Sequence, residues 1–341
     1  MSNQSKGDLA DKQHSLTEDF SSGATPRQAV WKKNKAVLWH YPAPCRKYKT
    51  PLFLVYSLIN QPFILDLYPG SSMIEAFSKE GYEVYLLDFG ILGYEDKDLT
   101  LDDYILGYIQ KGVRRALAHS RSEGITVVGY CLGGTLAAIY AALAKEPLRN
   151  LILFSPPLDF ENSPVFHQWH KAVKSGALNI DELADLYGTI PPNVMETTFR
   201  IITSPISYTP YLSLIGRTGD QRFLEKWYRV NQWIKGHVPF SGAALKQVTN
   251  NLLKENQLIN NQMVIKDEKV ILGNIKASLL VVSASEDELV PEDMIVPVLK
   301  KVSSEDLTYK AIKAGHITLA IRGKLPEFLQ QWLHERSDFI H

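Results

Sequence analysis

Short apolar runs alternate with amphipathic stretches over most of this chain. "AVLWHY", "PLFLVYSLI", "YEVYLLDFG", "ITVVGY" and "NLILFSP" are rich in β-branched and aromatic residues and predict strands. Between them, residues 71–79, 101–121 and 132–144 have the patterning of helices. Strands that are apolar throughout, rather than at every second position, are buried on both faces, which predicts a mostly parallel sheet sandwiched by helices. The alternation stops after Asp159. Residues 160–270 are rich in aromatics and in helical patterns such as "DQRFLEKWYRVNQWI" and "SGAALKQVTNNLLKENQLI". The β/α rhythm then resumes with the strand "ASLLVVSASED", a helix over "PEDMIVPVLKKV", the strand "LTYKAI" and a last helix in "GKLPEFLQQWLHER". The expected organisation is an α/β core of residues 28–159 and 271–341, with residues 160–270 inserted after the sixth strand as a helical cap. Residues 1–27 are polar and predict a mobile tail.

One junction in this pattern carries chemistry. The strand "ITVVGY" runs without a loop into the helix "LGGTLAAIYAALA" through Gly129-Tyr130-Cys131-Leu132-Gly133-Gly134. This is the G-x-S-x-G spacing of a nucleophile elbow with sulfur in place of oxygen. Gly129, Gly133 and Gly134 fit there because a nucleophile on so sharp a turn leaves no room for neighbouring Cβ atoms. The helix N-terminus would aim unpaired N–H groups and a partial positive charge at the sulfur and at an oxyanion beside it. A cysteine outside such a context is more often a small core residue. Cys45, in "YPAPCRKYK", has no such context.

A thiol nucleophile needs a base and an acid to orient that base. In sheets of the α/β-hydrolase type the order along the chain is nucleophile, acid, histidine. His316, in the loop "KAGHITL" after a late strand, fits the base. His14 in the tail, the terminal His341 and His334 in the last helix suit solvated roles, and His167, His170 and His237 fall in the cap. Asp287 leaves the strand "SLLVVSAS" and fits the acid, with Asp159 at the end of "FSPPLDF" as its rival. The backbone N–H of Leu132 and that of Ile59, in "VYSLINQPFILDL", are the candidate oxyanion donors.

Composition changes this picture little. Of 341 residues 45% are hydrophobic, and 37 Lys and Arg balance 37 Asp and Glu, so no summed field draws in nucleic acid or an anionic surface. The two cysteines have no partner at metal or redox spacing, and no metal or resident cofactor is expected. No apolar run approaches membrane-helix length, and no signal peptide is evident, which points to the cytoplasm.

The chain resembles the catalytic subunit of polyhydroxyalkanoate synthases of the short, two-subunit type. The likeness runs from about Val37 to Leu333. It rests on "PLFLVYSLINQPFILDLYPGSSMIEAF", "GYEVYLLDFGILGYEDKDLTLDDYILGYI", "VVGYCLGGTL", "LKENQLINNQMVI", "SASEDELVP" and "AGHI". Phe89 stands where this family more often has tryptophan, and Ala314-Gly315-His316-Ile317-Thr318 departs from its usual glycine pattern. The resemblance implies an α/β-hydrolase fold and an acyltransferase that polymerises (R)-3-hydroxyacyl-coenzyme A, 3-hydroxybutyryl first among them, with release of coenzyme A. Cys131 would carry the chain as a thioester and His316 would take the thiol proton. Asp287 would serve either His316 or the incoming hydroxyl. It further implies a small accessory subunit, a homodimer or hetero-oligomer, and work at the surface of polyester granules. A Cys-Asp-His hydrolase of the dienelactone hydrolase or thioesterase kind, and a silent granule-binding paralogue, are the competing readings.

Overall fold

The computed structural model describes residues 24–161, 164–176, 179–202 and 221–340. Its centre is an eight-stranded sheet. In chain order the strands are β1 (Gln28–Lys33), β2 (Ala36–Tyr41), β3 (Leu52–Val55), β4 (Val84–Asp88), β5 (Ile125–Tyr130), β6 (Leu148–Phe154), β7 (Ser278–Ala284) and β8 (Leu307–Ile312). In space they run β1-β2-β4-β3-β5-β6-β7-β8. Only β2 opposes the rest: it pairs antiparallel with β1 and β4, and every neighbouring pair from β4 to β8 is parallel.

Period-two alternation sorts the apolar strands into two cores. Phe53 and Val55 of β3, Ile125 and Val127 of β5, and Leu279 and Val281 of β7 face one core. Their neighbours Leu52, Leu54, Val128, Leu280 and Val282 face the other. This is the double burial that continuous apolar runs predict. Helix α1 (Met73–Glu80) packs on the second core, while α2 (Gln110–Ser120) and α3 (Leu132–Leu143) pack on the first. Ser72 caps α1 by accepting from the Glu75 amide at 2.9 Å, so the helix starts two residues later than its sequence pattern suggests.

Between β6 and β7 the chain forms α4 (Pro164–Lys174), α5 (Ile180–Tyr187), α6 (Pro192–Ile202), α7 (Gln221–Lys235), α8 (Gly242–Gln247) and a π-helical turn over Val248–Lys254. These are the helices of the inserted cap. Gln247 ties them to the core, accepting from the Leu101 amide at 2.5 Å and donating to Asp102 at 3.0 Å. The last helix, α9 (Glu327–Glu335), returns to the second core through Leu329, Trp332 and Leu333.

Three elements differ from the sequence expectation. "PEDMIVPVLKKV" forms two 3₁₀ turns, Glu292–Met294 and Val296–Lys300, because Pro297 has no N–H to continue an α-helix. Residues 103–109 within the helix expected over 101–121 are π-helical. β1 has no counterpart in the sequence reading: it is an edge strand, largely exposed, turned into β2 at Asn34, whose φ is 50°. Ala24 and Thr25, expected in the tail, are fixed to the buried Asp66: the Ala24 amide donates to its backbone carbonyl at 3.1 Å, and the Thr25 hydroxyl to its carboxylate at 2.6 Å. Residues 1–23, His14 and His341 lie outside the described residues. Among the described residues no helix is long and apolar enough to cross a membrane.

Candidate active site

Cys131 sits at the junction of β5 and α3 with φ 53° and ψ −130°, a backbone conformation that L-residues rarely adopt. The turn is clamped on both sides: the Cys131 amide donates to Phe154 O at 2.9 Å, and its carbonyl accepts from Gly134 at 2.8 Å. The glycines are there for space. A methyl on Gly133 would lie 2.3 Å from the Val55 carbonyl oxygen, and one on Gly129 would lie 2.5 Å from Gly134 Cα. At Gly134 the obstacle is Pro156, 2.8 Å away. Because the atoms met at Gly133 are backbone, they cannot rotate aside. Gly133→Ala is therefore expected to destabilise the fold by about 3 kcal/mol or more, measured as a lowered midpoint of chemical denaturation; a wild-type midpoint would contradict the packing argument.

His316 arrives from the loop after β8 and Asp287 from the turn after β7, so parallel strand ends bring together groups far apart in sequence. Asp287 Oδ2 lies 2.6 Å from His316 Nδ1. The other oxygen, Oδ1, accepts from the amides of Leu289 at 3.0 Å and Val290 at 2.9 Å, and the Asp287 side chain has no exposed surface. Both carboxylate oxygens are thus engaged. The His316 side chain is 15% exposed, and its carbonyl accepts from the Tyr130 hydroxyl at 2.5 Å. With Nδ1 facing Asp287, Nε2 is the nitrogen left for the thiol. Burial alone would lower the His316 pKa. The negative charges of Cys131 and then Asp287, together with the hydrogen bond between Nδ1 and Asp287, override it and raise the imidazole to about 10.

The sulfur opens into a cavity of about 110 Å³ beneath the cap, with Ile59 and Leu132 at its floor and Phe160, Phe166, Trp169 and Met195 on its walls. Leu132 heads α3, where the first amides of a helix have no acceptor within it, which suits an oxyanion donor. The Ile59 amide, the second candidate, donates to Ser57 Oγ at 3.2 Å instead, since the loop after β3 closes in a serine turn. It would have to exchange that partner to bind an oxyanion.

Asp159, the rival acid, is committed elsewhere: its Oδ1 accepts from Asn256 at 2.8 Å and from the Glu161 amide at 3.1 Å. Cys45 and His167 are exposed, and His334, also exposed, contacts the Tyr48 hydroxyl at 3.1 Å. Burial lowers the pKa of His237. Tyr130 is a contributor that sequence reasoning missed, since the residue before an elbow nucleophile carries no side-chain signature.

A family model described as the alpha/beta hydrolase fold matches residues 50–321. The poly(3-hydroxyalkanoate) polymerase subunit PhaC of Haloferax mediterranei is 31% identical over 336 residues, 96% of this chain and 68% of that protein. The chain belongs to the PhaC family. The PhaC subunit of Synechocystis sp. is 30% identical and is matched over 94% of this chain and 87% of its own length. That of Allochromatium vinosum is also 30% identical, over 94% of this chain and 91% of the relative. Solved structures resemble this PhaC-family chain in fold alone. A lipase-esterase related protein from Clostridium acetobutylicum superposes with a TM-score of 0.51 at 14% identity, covering 89% of this chain and 100% of that one.

Proposed function

We propose that this PhaC-family acyltransferase builds polyester from (R)-3-hydroxyacyl-coenzyme A with Cys131 as the nucleophile, His316 as base and Asp287 as the group that orients His316. The observation that carries the reading is the Cys131-His316-Asp287 constellation opening into an apolar cavity. Before acylation the thiol proton already rests on His316 Nε2, so Cys131 reacts as a thiolate. The sulfur attacks the thioester carbonyl, the Leu132 amide faces the oxyanion, and coenzyme A departs with the proton from His316. Thioester exchange between two thiols is nearly isoenergetic, so the bond to Cys131 keeps the acyl group activated.

In the extension step His316 takes the proton of a second unit's 3-hydroxyl, and that oxygen attacks the thioester carbonyl on Cys131. An ester forms, the C–S bond breaks, and the sulfur leaves as a thiolate with the proton kept on His316. The lengthened chain, still a coenzyme A thioester, can acylate Cys131 again. The engagement of both Asp287 oxygens supports a role on His316 rather than on the incoming hydroxyl. The apolar wall favours an acyl chain over water and so favours transfer over hydrolysis. The relatives are named as polymerase subunits, which supports a further subunit as partner.

Purified protein, alone and with such a subunit, is expected to release coenzyme A from (R)-3-hydroxybutyryl-coenzyme A and to form insoluble polyester, followed by thiol titration and turbidity. Coenzyme A release with only free 3-hydroxybutyrate would make it a hydrolase. Granule binding with no release in any combination would make it a silent paralogue.

A further inference from the structure

The cavity above Cys131 contains one side chain that its surroundings do not explain. Thr249 lines the wall at 2% exposure, yet its hydroxyl makes no hydrogen bond to any other described residue. The other buried threonines are all bonded. Thr135 donates to Pro157 O at 2.6 Å, Thr126 accepts from Asn150 at 2.9 Å, and Thr50 accepts from the Asp338 amide at 3.5 Å. The hydroxyl is not sealed off by its neighbours: its oxygen keeps surface open to the cavity, where a molecule held there can offer it the partner the protein does not. The rest of the wall is apolar except for Cys131 and the half-buried Trp169 and Thr198.

Backbone geometry points the same way. Thr249 lies on the π-helical turn Val248–Lys254, directly after α8, and this turn presents Val248, Thr249 and Leu253 to the cavity. Such widened turns give up regular α-helical bonding and recur at functional sites. A hydrocarbon chain would fill this cavity without offering Thr249 anything. A hydroxyacyl chain differs from it by an oxygen on the third carbon, free in the first unit and part of the ester in later ones.

We infer that Thr249 is the group that selects oxygenated acyl chains, its hydroxyl hydrogen-bonding the oxygen on the third carbon of a unit held on Cys131. The inference rests on the cavity being the acyl site of the function proposed above. Thr249 touches bound substrate in this role and takes no part in proton transfer.

The test compares Thr249→Val, which keeps the shape, with Thr249→Ser, which keeps the hydroxyl. Single-turnover acylation of Cys131 is followed by intact-protein mass spectrometry with (R)-3-hydroxybutyryl- and butyryl-coenzyme A, and with the two-unit ester and the hydrocarbon chain of equal length. The preference for oxygenated over plain chains is expected to fall about 5-fold in T249V, the worth of one ordinary hydrogen bond, and to persist in T249S. An unchanged preference in folded T249V, or equal losses with both chain types, would overturn the assignment and leave Thr249 a packing residue. Should the wild type acylate with none of these thioesters, the functional reading itself fails and takes the inference with it.

Discussion

Cys131→Ala is expected to lower coenzyme A release by at least ~10⁴-fold and to leave no insoluble product, the loss seen when a covalent nucleophile is removed from an intact site. The fold should survive, because the substitution removes one sulfur from a half-buried position that opens onto a cavity. Its elbow bonds are made by backbone groups, which alanine keeps. Thiol release and turbidity report the activity, and circular dichroism reports the fold. Cys45→Ala is the matched control: Cys45 is exposed and no acyl chemistry is assigned to it, so its rate should equal that of the wild type. A folded C131A protein that keeps more than about 1% of the wild-type rate would show that another group carries the acyl chain.

Asp287→Asn should reduce turnover by about 10³- to 10⁴-fold, for a reason that can be traced atom by atom. The amides of Leu289 and Val290 both donate to Oδ1, so the asparagine carbonyl takes that place and its NH₂ faces His316 Nδ1. Two donors would then confront one another unless the ring moved its proton to Nε2, the nitrogen needed to receive the thiol proton. The substitution also removes one of the two negative charges that raise His316. An unfolded histidine releases its proton near pH 6.5 and the folded one near 10. The stability contributed by the protonated ring is therefore fully present below about pH 6.5 and is lost as pH rises to about 10. In D287N this decline should finish at lower pH, as read from denaturation midpoints across that range. An unshifted decline would mean that Asp287 does not govern the ring.

The parts of this molecule that were legible in its sequence are those in which side-chain chemistry and backbone geometry coincide. The runs forming β5 and β7 are apolar because both faces are covered, and the elbow glycines are small because Val55 and Gly134 leave no space. Because parallel strands deliver successive loops to one edge of a sheet, chain order singled out His316 and left Asp287 with Asp159 as its rival; the 2.6 Å contact of Asp287 with His316 separates the two acids. What escaped depends on contacts with no local signature. The strand β1 is held by pairing with β2 rather than by burial, and the turn at Pro297 outweighs a helical pattern that spans it. The engagement of the Ile59 amide by Ser57 depends on a loop geometry that composition does not encode. Thr249 reads in sequence as an ordinary polar position on a helix, and only the π turn gives it its setting.

Peptide groups grip the elbow on each side, so the reach and angle of its tip are properties of the scaffold, and the element placed there can vary independently. In the proposed chemistry an oxygen at the same point would form an ester where the sulfur would form a thioester. The atom placed there thus sets how much acyl potential the bond to the enzyme would store for the next step, on a fold shared with a protein named as lipase-esterase related.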